Sequence, residues 1–281
     1  MSEKHKWIEV STHASKIRYQ CLSEQLESQG IPNEVEFCEF QTEEEWNAIL
    51  DEHEPKVKAI RLGRGLGENI LKRYPNHSVH INKLGAADCL IYEDNKWWPR
   101  SASYDGLLQV FAKVGEKFDL NSSALIVGAG AMARTTVAVL FREGFKNFGL
   151  TAIDEDRGME LLSELKRTYF GADFDFIPRD ELILLPGLYG MIVNTTPSTK
   201  ENELLNELSY FNFFIPHGVA LDLYLEPAET EFLKEAKEIG ATGIPGYEVA
   251  AAADQNWAKW VFDVDLDLSA YIERLKAKFQ S

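Results

Sequence analysis

Two glycines and an alanine after an apolar run have the spacing of a phosphate-binding turn. The run Ala124–Val127 leads into Gly128-x-Gly130-x-x-Ala133, and apolar positions at helical spacing follow. Gly128 allows a tight turn, Gly130 leaves room for a pyrophosphate, and Ala133 lets the helix pack close to the strand. Free N–H groups at such a helix start attract phosphate charge. The segment predicts a dinucleotide site; the alternative is a glycine-rich turn that binds no nucleotide.

An acidic residue after the next predicted strand bears on the choice of coenzyme. Leu150–Ile153 is apolar enough for a buried strand, and Asp154 comes directly after it. A carboxylate at this place can accept hydrogen bonds from both hydroxyls of an adenosine ribose and would repel a 2′-phosphate. The sequence therefore predicts NAD as the preferred cofactor, with NADP as the other option. Glu155 or Asp156 could supply the carboxylate in place of Asp154.

Short apolar strands alternate with helical segments, which is typical of an α/β protein with a doubly wound sheet. In the first part the predicted strands include Trp7–Val10, Val35–Phe40 and Val57–Leu62, and Ala87–Tyr92 forms a hairpin with Lys96–Trp98. At 281 residues the chain is long enough for two domains.

We predict three parts along the chain. Residues 1–102 form an N-terminal α/β substrate-binding domain, and residues 103–241 form a Rossmann-like NAD(P)-binding domain with its linking helix. Residues 242–281 form C-terminal helices that return to the substrate domain.

The net charge and the cysteine content limit the kinds of binding partner and the cellular compartment that we expect. The formal net charge is −16, which argues against binding a nucleic-acid backbone or an anionic membrane surface. The cysteines Cys21, Cys38 and Cys89 show neither metal-ligand spacing nor a disulfide framework, so we expect no metal and a cytoplasmic location. The first residues lack the apolar core of a signal peptide, and no apolar stretch is long enough to span a bilayer.

Several motifs in the second half resemble those of the shikimate/quinate dehydrogenase family. The glycine-rich loop is followed by Arg134, and an Asn-x-Thr-Pro run appears as Asn194–Pro197. The family's Asp-x-x-Tyr-x-x-x-x-Thr stretch is similar to Asp222–Thr230, with the tyrosine one place earlier. Gly243 and Gly246 fall where the family has glycines beside the nicotinamide.

The resemblance implies an oxidoreductase that transfers a hydride between a nicotinamide cofactor and a small cyclic hydroxy or keto acid, with a role in aromatic amino acid biosynthesis. The implied cofactor-binding residues are Gly128, Gly130, Ala131, Met132, Ala133, Arg134, Asp154, Asn194, Thr195, Thr196, Leu223 and Gly246. Thr195 and Thr196 could instead belong to an ordinary turn. A homodimer is one option for the assembly, which the sequence leaves open.

The first half departs from the family where the reaction would take place. The family's Asn-Thr-Asp stretch is similar to Ser103–Asp105, which keeps only the aspartate. Its Asn-Val-Thr-x-Pro-x-Lys segment corresponds to Arg61–Asn69, which has no lysine at the matching place. The family's catalytic pair is that lysine with that aspartate. Asp105 and the nearest lysine, Lys72, are therefore the catalytic candidates.

Each catalytic candidate has a second interpretation. Asp105 could cap the linking helix, and Lys72 could be a solvated surface lysine. Arg61 and Arg64 could replace the lost positive charge, but an arginine rarely deprotonates and suits an anion anchor better than a base. The glycines between Gly63 and Gly67 suggest a loop that an anion approaches closely.

The resemblance also implies a set of substrate-binding residues. They are His13, Ser15, Arg64, Tyr104, Tyr224 and Gln255. His13 and Ser15 could instead cap the first helix, Tyr104 could serve aromatic packing, and Tyr224 could merely end its strand. Besides the dehydrogenase, we consider a protein that binds a nucleotide and a metabolite without catalysis, and a related folate or amino-acid dehydrogenase.

Overall fold

The computed structural model describes residues 4–198, 202–208 and 211–280. The strands are β1 (His5–Ser11), β2 (Asn33–Glu39), β3 (Ala59–Leu62), β4 (Cys89–Glu93), β5 (Lys96–Arg100), β6 (Ser123–Val127), β7 (Asn147–Thr151), β8 (Asp173–Phe176), β9 (Tyr189–Asn194), β10 (Phe214–Asp222) and β11 (Thr242–Pro245). The helices are α1 (Lys16–Ser28), α2 (Glu43–His53), α3 (Ile70–Arg73), α4 (Val79–Leu84), α5 (Ala102–Val114), α6 (Ala131–Glu143), α7 (Glu155–Thr168), α8 (Glu203–Leu208), α9 (Glu231–Glu238), α10 (Gly246–Phe262) and α11 (Leu268–Phe279).

The chain divides into two compact units. The first consists of Met1–Gly106 and Ala251–Lys278, and the second consists of Leu107–Ala250 and Phe279–Ser281. Both are built from alternating strands and helices, so the predicted α/β class with two domains and a Rossmann-like sheet is confirmed.

The first unit is built on a mixed five-stranded sheet in the order β2-β1-β3-β4-β5. β1 pairs in parallel with β2 and β3, whereas β3, β4 and β5 pair antiparallel. The β4–β5 hairpin turns at Asp94 and Asn95, which have φ values of 52° and 60°. Aspartate and asparagine tolerate this left-handed region, which a two-residue hairpin turn requires. The hairpin prediction is confirmed.

The second unit is built on a parallel six-stranded sheet in the order β11-β10-β9-β6-β7-β8. The strands β6 and β9 are almost wholly buried, because helices cover both faces of such a sheet. The strand order reverses beside β6, and ligands of open α/β sheets bind outside the carboxyl ends of strands at such a reversal. The loops after β6, β9 and β10 are therefore the ones to inspect.

One predicted detail of secondary structure was wrong, and two elements were not predicted. β7 ends at Thr151, so the predicted strand Leu150–Ile153 extends two residues too far, because Ile153 is 69% exposed and leaves the sheet. The short helix α4 and the strand β11 were not foreseen. β11 contains a glycine and a proline, which obscure a strand pattern, and parallel pairing with β10 is what makes it extended.

Within the described residues, no helix combines the length and the apolar character needed to cross a membrane.

Candidate coenzyme and substrate sites

The glycine-rich loop leaves β6 in a conformation that only glycine adopts readily. Gly128 has a φ of +114°, and its amide donates to the carbonyl of Thr151 at 2.8 Å. A Cβ at Gly128 would lie 2.3 Å from Oγ1 of Thr195, far inside van der Waals contact. The loop after β9 therefore packs directly against this glycine.

The helix that follows begins as a phosphate-binding helix must. Gly130 is the N-cap of α6, and no side chain among the described residues caps this end. The first amide that bonds inside the helix is that of Arg134, which donates to the carbonyl of Gly130 at 3.2 Å. Earlier amides of a helix have no intrahelical acceptor and can bind an anion. Ala133 is fully buried, as close packing of the helix on the sheet requires.

The ends of β9 and β10 are joined by a buried polar network around Asp222. Its carboxylate accepts hydrogen bonds from Nδ2 of Asn194 at 2.9 Å, from the hydroxyls of Ser198 and Thr230 at 2.5 and 2.6 Å, and from the amide of Tyr224 at 3.0 Å. Burial raises the pKa of the Asp222 carboxyl, and these four donors oppose that shift. The network fixes the loops that follow both strands.

Two neighbouring threonines hold the loop after β9 in place. The hydroxyl of Thr195 donates to the carbonyl of Val127 at 2.8 Å, which ties this loop to the end of β6. The hydroxyl of Thr196 donates to Oδ1 of Asn194 at 2.6 Å. Both hydroxyls are thus engaged within the protein, and their predicted contact with the nicotinamide ribose stays a prediction.

Gly246 allows α10 to start against the backbone that follows β10. A Cβ there would lie 2.7 Å from the carbonyl oxygens of Asp222 and Tyr224 and 2.8 Å from the carbonyl carbon of Leu223. Backbone atoms cannot move aside as a flexible side chain can, so this position accepts only glycine. The predicted cofactor residues Leu223 and Gly246 therefore lie side by side.

The acidic residue predicted to bind the ribose has a structural contact as well. Asp154 is exposed and is the N-cap of α7, where its carboxylate accepts the amide of Arg157 at 3.1 Å. Arg134, one of the implied cofactor residues, pairs with Glu164. The Nη2 atom of Arg157 lies 4.0 Å from the Cβ position of Gly130.

In the first unit, the loop between β1 and α1 is attached to a buried carboxylate. The amide of Ser15 donates to both carboxylate oxygens of Glu9, at 2.8 and 3.1 Å, and Glu9 is fully buried. A Cβ at Gly63 would lie 2.5 Å from Cβ of Ser11 and 2.8 Å from Oε1 of Glu9. The glycine is thus required by packing against β1, and the predicted approach of an anion to the loop between Gly63 and Gly67 stays a prediction. Sequence reasoning missed Glu9, because it reads as an outward-facing position of a strand.

Replacing Glu9 with glutamine is expected to flatten the dependence of stability on pH. Burial raises the pKa of the Glu9 carboxyl from 4.5 to about 7, against the opposing effects of the Ser15 amide, Arg18 and Arg61. The folded state then binds more protons than the unfolded state between these pH values, so the free energy of unfolding falls as pH rises from 4.5 to 7. At pH 8, Glu9→Gln should be more stable than the wild type by up to about 3 kcal/mol.

Urea unfolding of both proteins at pH 4.5 and pH 8 measures this difference. Glu34→Gln on β2, where the side chain is exposed, should keep the wild-type slope. An identical slope in Glu9→Gln and the wild type would show that Glu9 does not titrate in this range.

Arg61 is not an anion anchor, contrary to one sequence-based interpretation. Its side chain is 1% exposed, pairs with Asp254 at 3.3 Å and donates through Nε to the hydroxyl of Tyr19 at 3.1 Å. Arg18 binds the same carboxylate through two hydrogen bonds of 2.9 and 2.7 Å. The charge of Arg61 is therefore used inside the unit, whereas Arg64 is exposed and keeps its role as a candidate substrate ligand.

Asp105 does not cap the linking helix. α5 begins at Ala102, and Asp105 lies in its first turn. The carboxylate of Asp88 accepts the amides of Ala102 and Ser103 at 2.8 and 2.6 Å, which satisfies this helix end. The capping interpretation of Asp105 is thus wrong, and its catalytic interpretation stays a prediction.

The surroundings of Lys72 and Tyr104 agree with their non-catalytic interpretations, which are a solvated surface lysine and a packed aromatic ring. Lys72 is exposed on α3 and donates to Oδ1 of Asn69 at 3.3 Å. The buried ring of Tyr104 packs edge-to-face on His80, with ring centroids 4.3 Å apart. Neither contact identifies a group that takes part in proton transfer.

The remaining substrate candidates differ in their exposure and in the hydrogen bonds that they make within the protein. The side-chain amide of Gln255 donates to the carbonyl of Leu266 at 3.0 Å and so connects α10 to the segment before α11. The amide of His13 donates to Oγ of Ser11 at 2.9 Å, while its side chain is exposed. Ser15 occupies the N-cap position of α1, yet its side chain makes no capping hydrogen bond. Tyr224 is half-buried beside the Asp222 network.

Comparison with known proteins gives distant but consistent similarities. No model of a known protein family matches the chain. The curated shikimate dehydrogenase (NADP(+)) of Nitrosopumilus maritimus is 29% identical over 166 residues, which cover 59% of this chain and 59% of that protein. The aligned part is thus less than two thirds of that relative. The shikimate dehydrogenase (NADP(+)) of Dictyoglomus turgidum is 26% identical, over 89% of this chain and 86% of that protein.

Solved structures show that the fold is shared along the whole chain. Quinate dehydrogenase from Corynebacterium glutamicum, in complex with NAD, has a TM-score of 0.82 at 13% identity, covering 98% of this chain and 100% of that one. The 5-ketofructose reductase of a Gluconobacter strain has a TM-score of 0.79 at 15% identity, covering 99% of both chains. The resemblance that the motifs indicate is confirmed: the chain is similar in sequence to curated shikimate dehydrogenases and in fold to solved shikimate and quinate dehydrogenases.

Proposed function

We propose that the protein is an NAD(P)-dependent oxidoreductase that moves a hydride between the coenzyme and a small cyclic hydroxy or keto acid. The observation that supports this most is the loop at Gly128, where a left-handed glycine packed against Thr195 leads into a helix whose N-terminus is capped by no side chain of the described residues. This arrangement suits the pyrophosphate of a dinucleotide. The relatives named as shikimate and quinate dehydrogenases supply the substrate class.

In the proposed reaction the coenzyme and the protein chain have different roles. A nicotinamide coenzyme held at the Gly128 loop would supply the hydride acceptor or donor. In the oxidising direction the chain must remove the hydroxyl proton as the carbon–hydrogen bond breaks, and it must hold the substrate carboxylate in place. Asp105 is the proposed proton acceptor or its hydrogen-bond partner. His13, Ser15, Arg64, Tyr104, Tyr224 and Gln255 remain the proposed substrate contacts.

Arg64 is the strongest candidate for the carboxylate anchor. It is exposed in the loop after β3, in the segment where the family has its lysine, while Arg61 on β3 is paired with Asp254. A guanidinium binds a carboxylate through two parallel hydrogen bonds, which also orients the substrate. A substrate that lacks a carboxylate should therefore bind much more weakly than its acid.

A second candidate function is binding of a nucleotide and a metabolite without dehydrogenase chemistry. It is favoured by the absence of a lysine at the family's position and by the exposed setting of Lys72. The two functions separate in one assay: the protein is incubated with NAD or NADP and a panel of cyclic hydroxy acids that includes shikimate and quinate, and reduced nicotinamide is followed by absorbance. Turnover supports the dehydrogenase, whereas measurable coenzyme binding without turnover on any acid supports the second function.

NAD is expected to bind more tightly than NADP. We expect the carboxylate of Asp154, at the start of α7, to repel an adenosine 2′-phosphate, although the curated relatives are named as NADP(+) enzymes. Calorimetric titration of both coenzymes measures the preference. Asp154→Ser keeps a residue that caps helices well while removing the charge. It should weaken NAD binding about tenfold and reduce the difference in affinity between NAD and NADP. Tighter binding of NADP to the wild type would contradict the assignment and point to Arg134 or Arg157 as the phosphate ligand.

A further inference from the structure

Three side chains with metal-binding atoms meet on the first unit, away from the candidate substrate residues in sequence and in secondary structure. Glu36 and Cys38 lie two residues apart on β2, so both project from the same face of this edge strand. His53 is the last residue of α2. Sequence spacing does not show this set, because the histidine comes from a separate element.

The three ligand atoms are at distances close to those of a metal site. Nε2 of His53 lies 3.8 Å from Sγ of Cys38 and 3.9 Å from Oε1 of Glu36, and all three atoms lie within 4.8 Å of one another. Zinc–ligand bonds of about 2.0–2.3 Å in a tetrahedron put neighbouring ligand atoms about 3.5 Å apart. The two distances from Nε2 of His53 would have to shorten by a few tenths of an ångström, and the distance between the sulfur and the carboxylate by up to about 1.3 Å, for all three atoms to coordinate one ion.

We propose that Glu36, Cys38 and His53 bind a divalent cation of the zinc class. The set combines a thiolate, an imidazole and a carboxylate, which together favour Zn²⁺ over the harder cations Mg²⁺ and Ca²⁺. Three protein ligands leave a fourth coordination position for water. Binding displaces the thiol proton to solvent and forms the metal–sulfur bond in its place.

The surroundings of the three residues favour a cation. The carboxyl groups of Glu36, Glu52 and Glu9 lie near enough to Cys38 to interact with its thiol electrostatically, and each attracts a cation when it is ionised. The ligands also range from buried to exposed: His53 has a side chain 10% exposed, Cys38 is half-buried, and Glu36 is 64% exposed. A cation from solvent can thus reach the set along the carboxylate without opening the core.

Cobalt provides the most direct test, because a cobalt–thiolate bond has a charge-transfer absorption band that a structural contact lacks. Untagged protein in a non-coordinating buffer, freed of metal with a chelator, is titrated with Co²⁺ and then with Zn²⁺. We expect the band to saturate at one equivalent of Co²⁺ and to disappear when Zn²⁺ is added. Absence of the band at saturating Co²⁺ would overturn the proposal.

Matched variants assign the ligands. Cys38→Ser should abolish the band, while Cys21→Ala, which removes a cysteine outside the cluster, should retain it. Glu36→Gln should weaken Zn²⁺ binding at least about tenfold, and Glu39→Gln on the same strand should not. Circular dichroism confirms the fold of each variant. A band retained in Cys38→Ser, or an unchanged Zn²⁺ affinity in Glu36→Gln, would show that these residues are not ligands.

Discussion

Asp105→Asn is expected to lower the turnover number roughly 10²–10⁴-fold, the usual contribution of general acid–base catalysis. Asparagine keeps the size and shape of the aspartate but cannot hold a proton that it has taken from a hydroxyl. Because the residue lies in the first turn of α5 and does not cap it, the substitution should leave the helix intact. The affinity for the coenzyme should therefore stay within about twofold of the wild type.

The measurement is steady-state kinetics with the best acid from the panel, together with calorimetry of coenzyme binding. Glu116→Gln is a suitable control, since this exposed carboxylate lies in the turn just after the same helix and has no assigned role. It should behave as the wild type does. Wild-type turnover in Asp105→Asn would remove the residue from the catalytic set and leave the proton acceptor to be found elsewhere.

Gly128→Ala is expected to weaken coenzyme binding at least about 100-fold and to lower the free energy of unfolding by about 2–4 kcal/mol. Two costs add here. The backbone has a φ of +114°, and the new Cβ would lie 2.3 Å from Oγ1 of Thr195 and 2.9 Å from Cγ2 of Thr196. Relief of this clash must move the loop after β6 or the loop after β9, and both would border a bound pyrophosphate.

Gly171→Ala separates the cost of the positive φ from the cost of the clash with neighbouring side chains. Gly171 also has a positive φ, of +85°, but a Cβ there would meet no atom within 4 Å. It should lose only about 1 kcal/mol of stability and leave coenzyme affinity unchanged. If Gly128→Ala bound the coenzyme as tightly as Gly171→Ala does, the loop at Gly128 would not be the phosphate site.

Local sequence patterns predicted much of the fold. Thr42 followed three residues later by Glu45 has the sequence pattern of a capping box, and the structure has that box at the start of α2, because both of its hydrogen bonds join residues three positions apart. The order of strand, glycines and helix around Gly128 was also correct, since each step depends on neighbouring residues. The predicted end of β7 was wrong, because residues that are close in space but distant in sequence decide whether Ile153 stays in the sheet.

The candidate site was less predictable for the same physical reason. Arg61 looks like an anion ligand until Asp254, far away in the chain, neutralises it. Glu9 looks like a surface residue until the β1–α1 loop folds over it and its carboxylate accepts the Ser15 amide. Such pairings are made by tertiary packing, and a single sequence contains no local signal for them.

Calorimetric titration of the wild-type protein with NAD and with NADP tests the central claim most directly. We expect saturable binding of one dinucleotide per chain, with NAD bound more tightly than NADP. If neither coenzyme released or absorbed heat, and neither raised the unfolding temperature at millimolar concentration, the loop at Gly128 would hold no dinucleotide and the proposed function would be wrong.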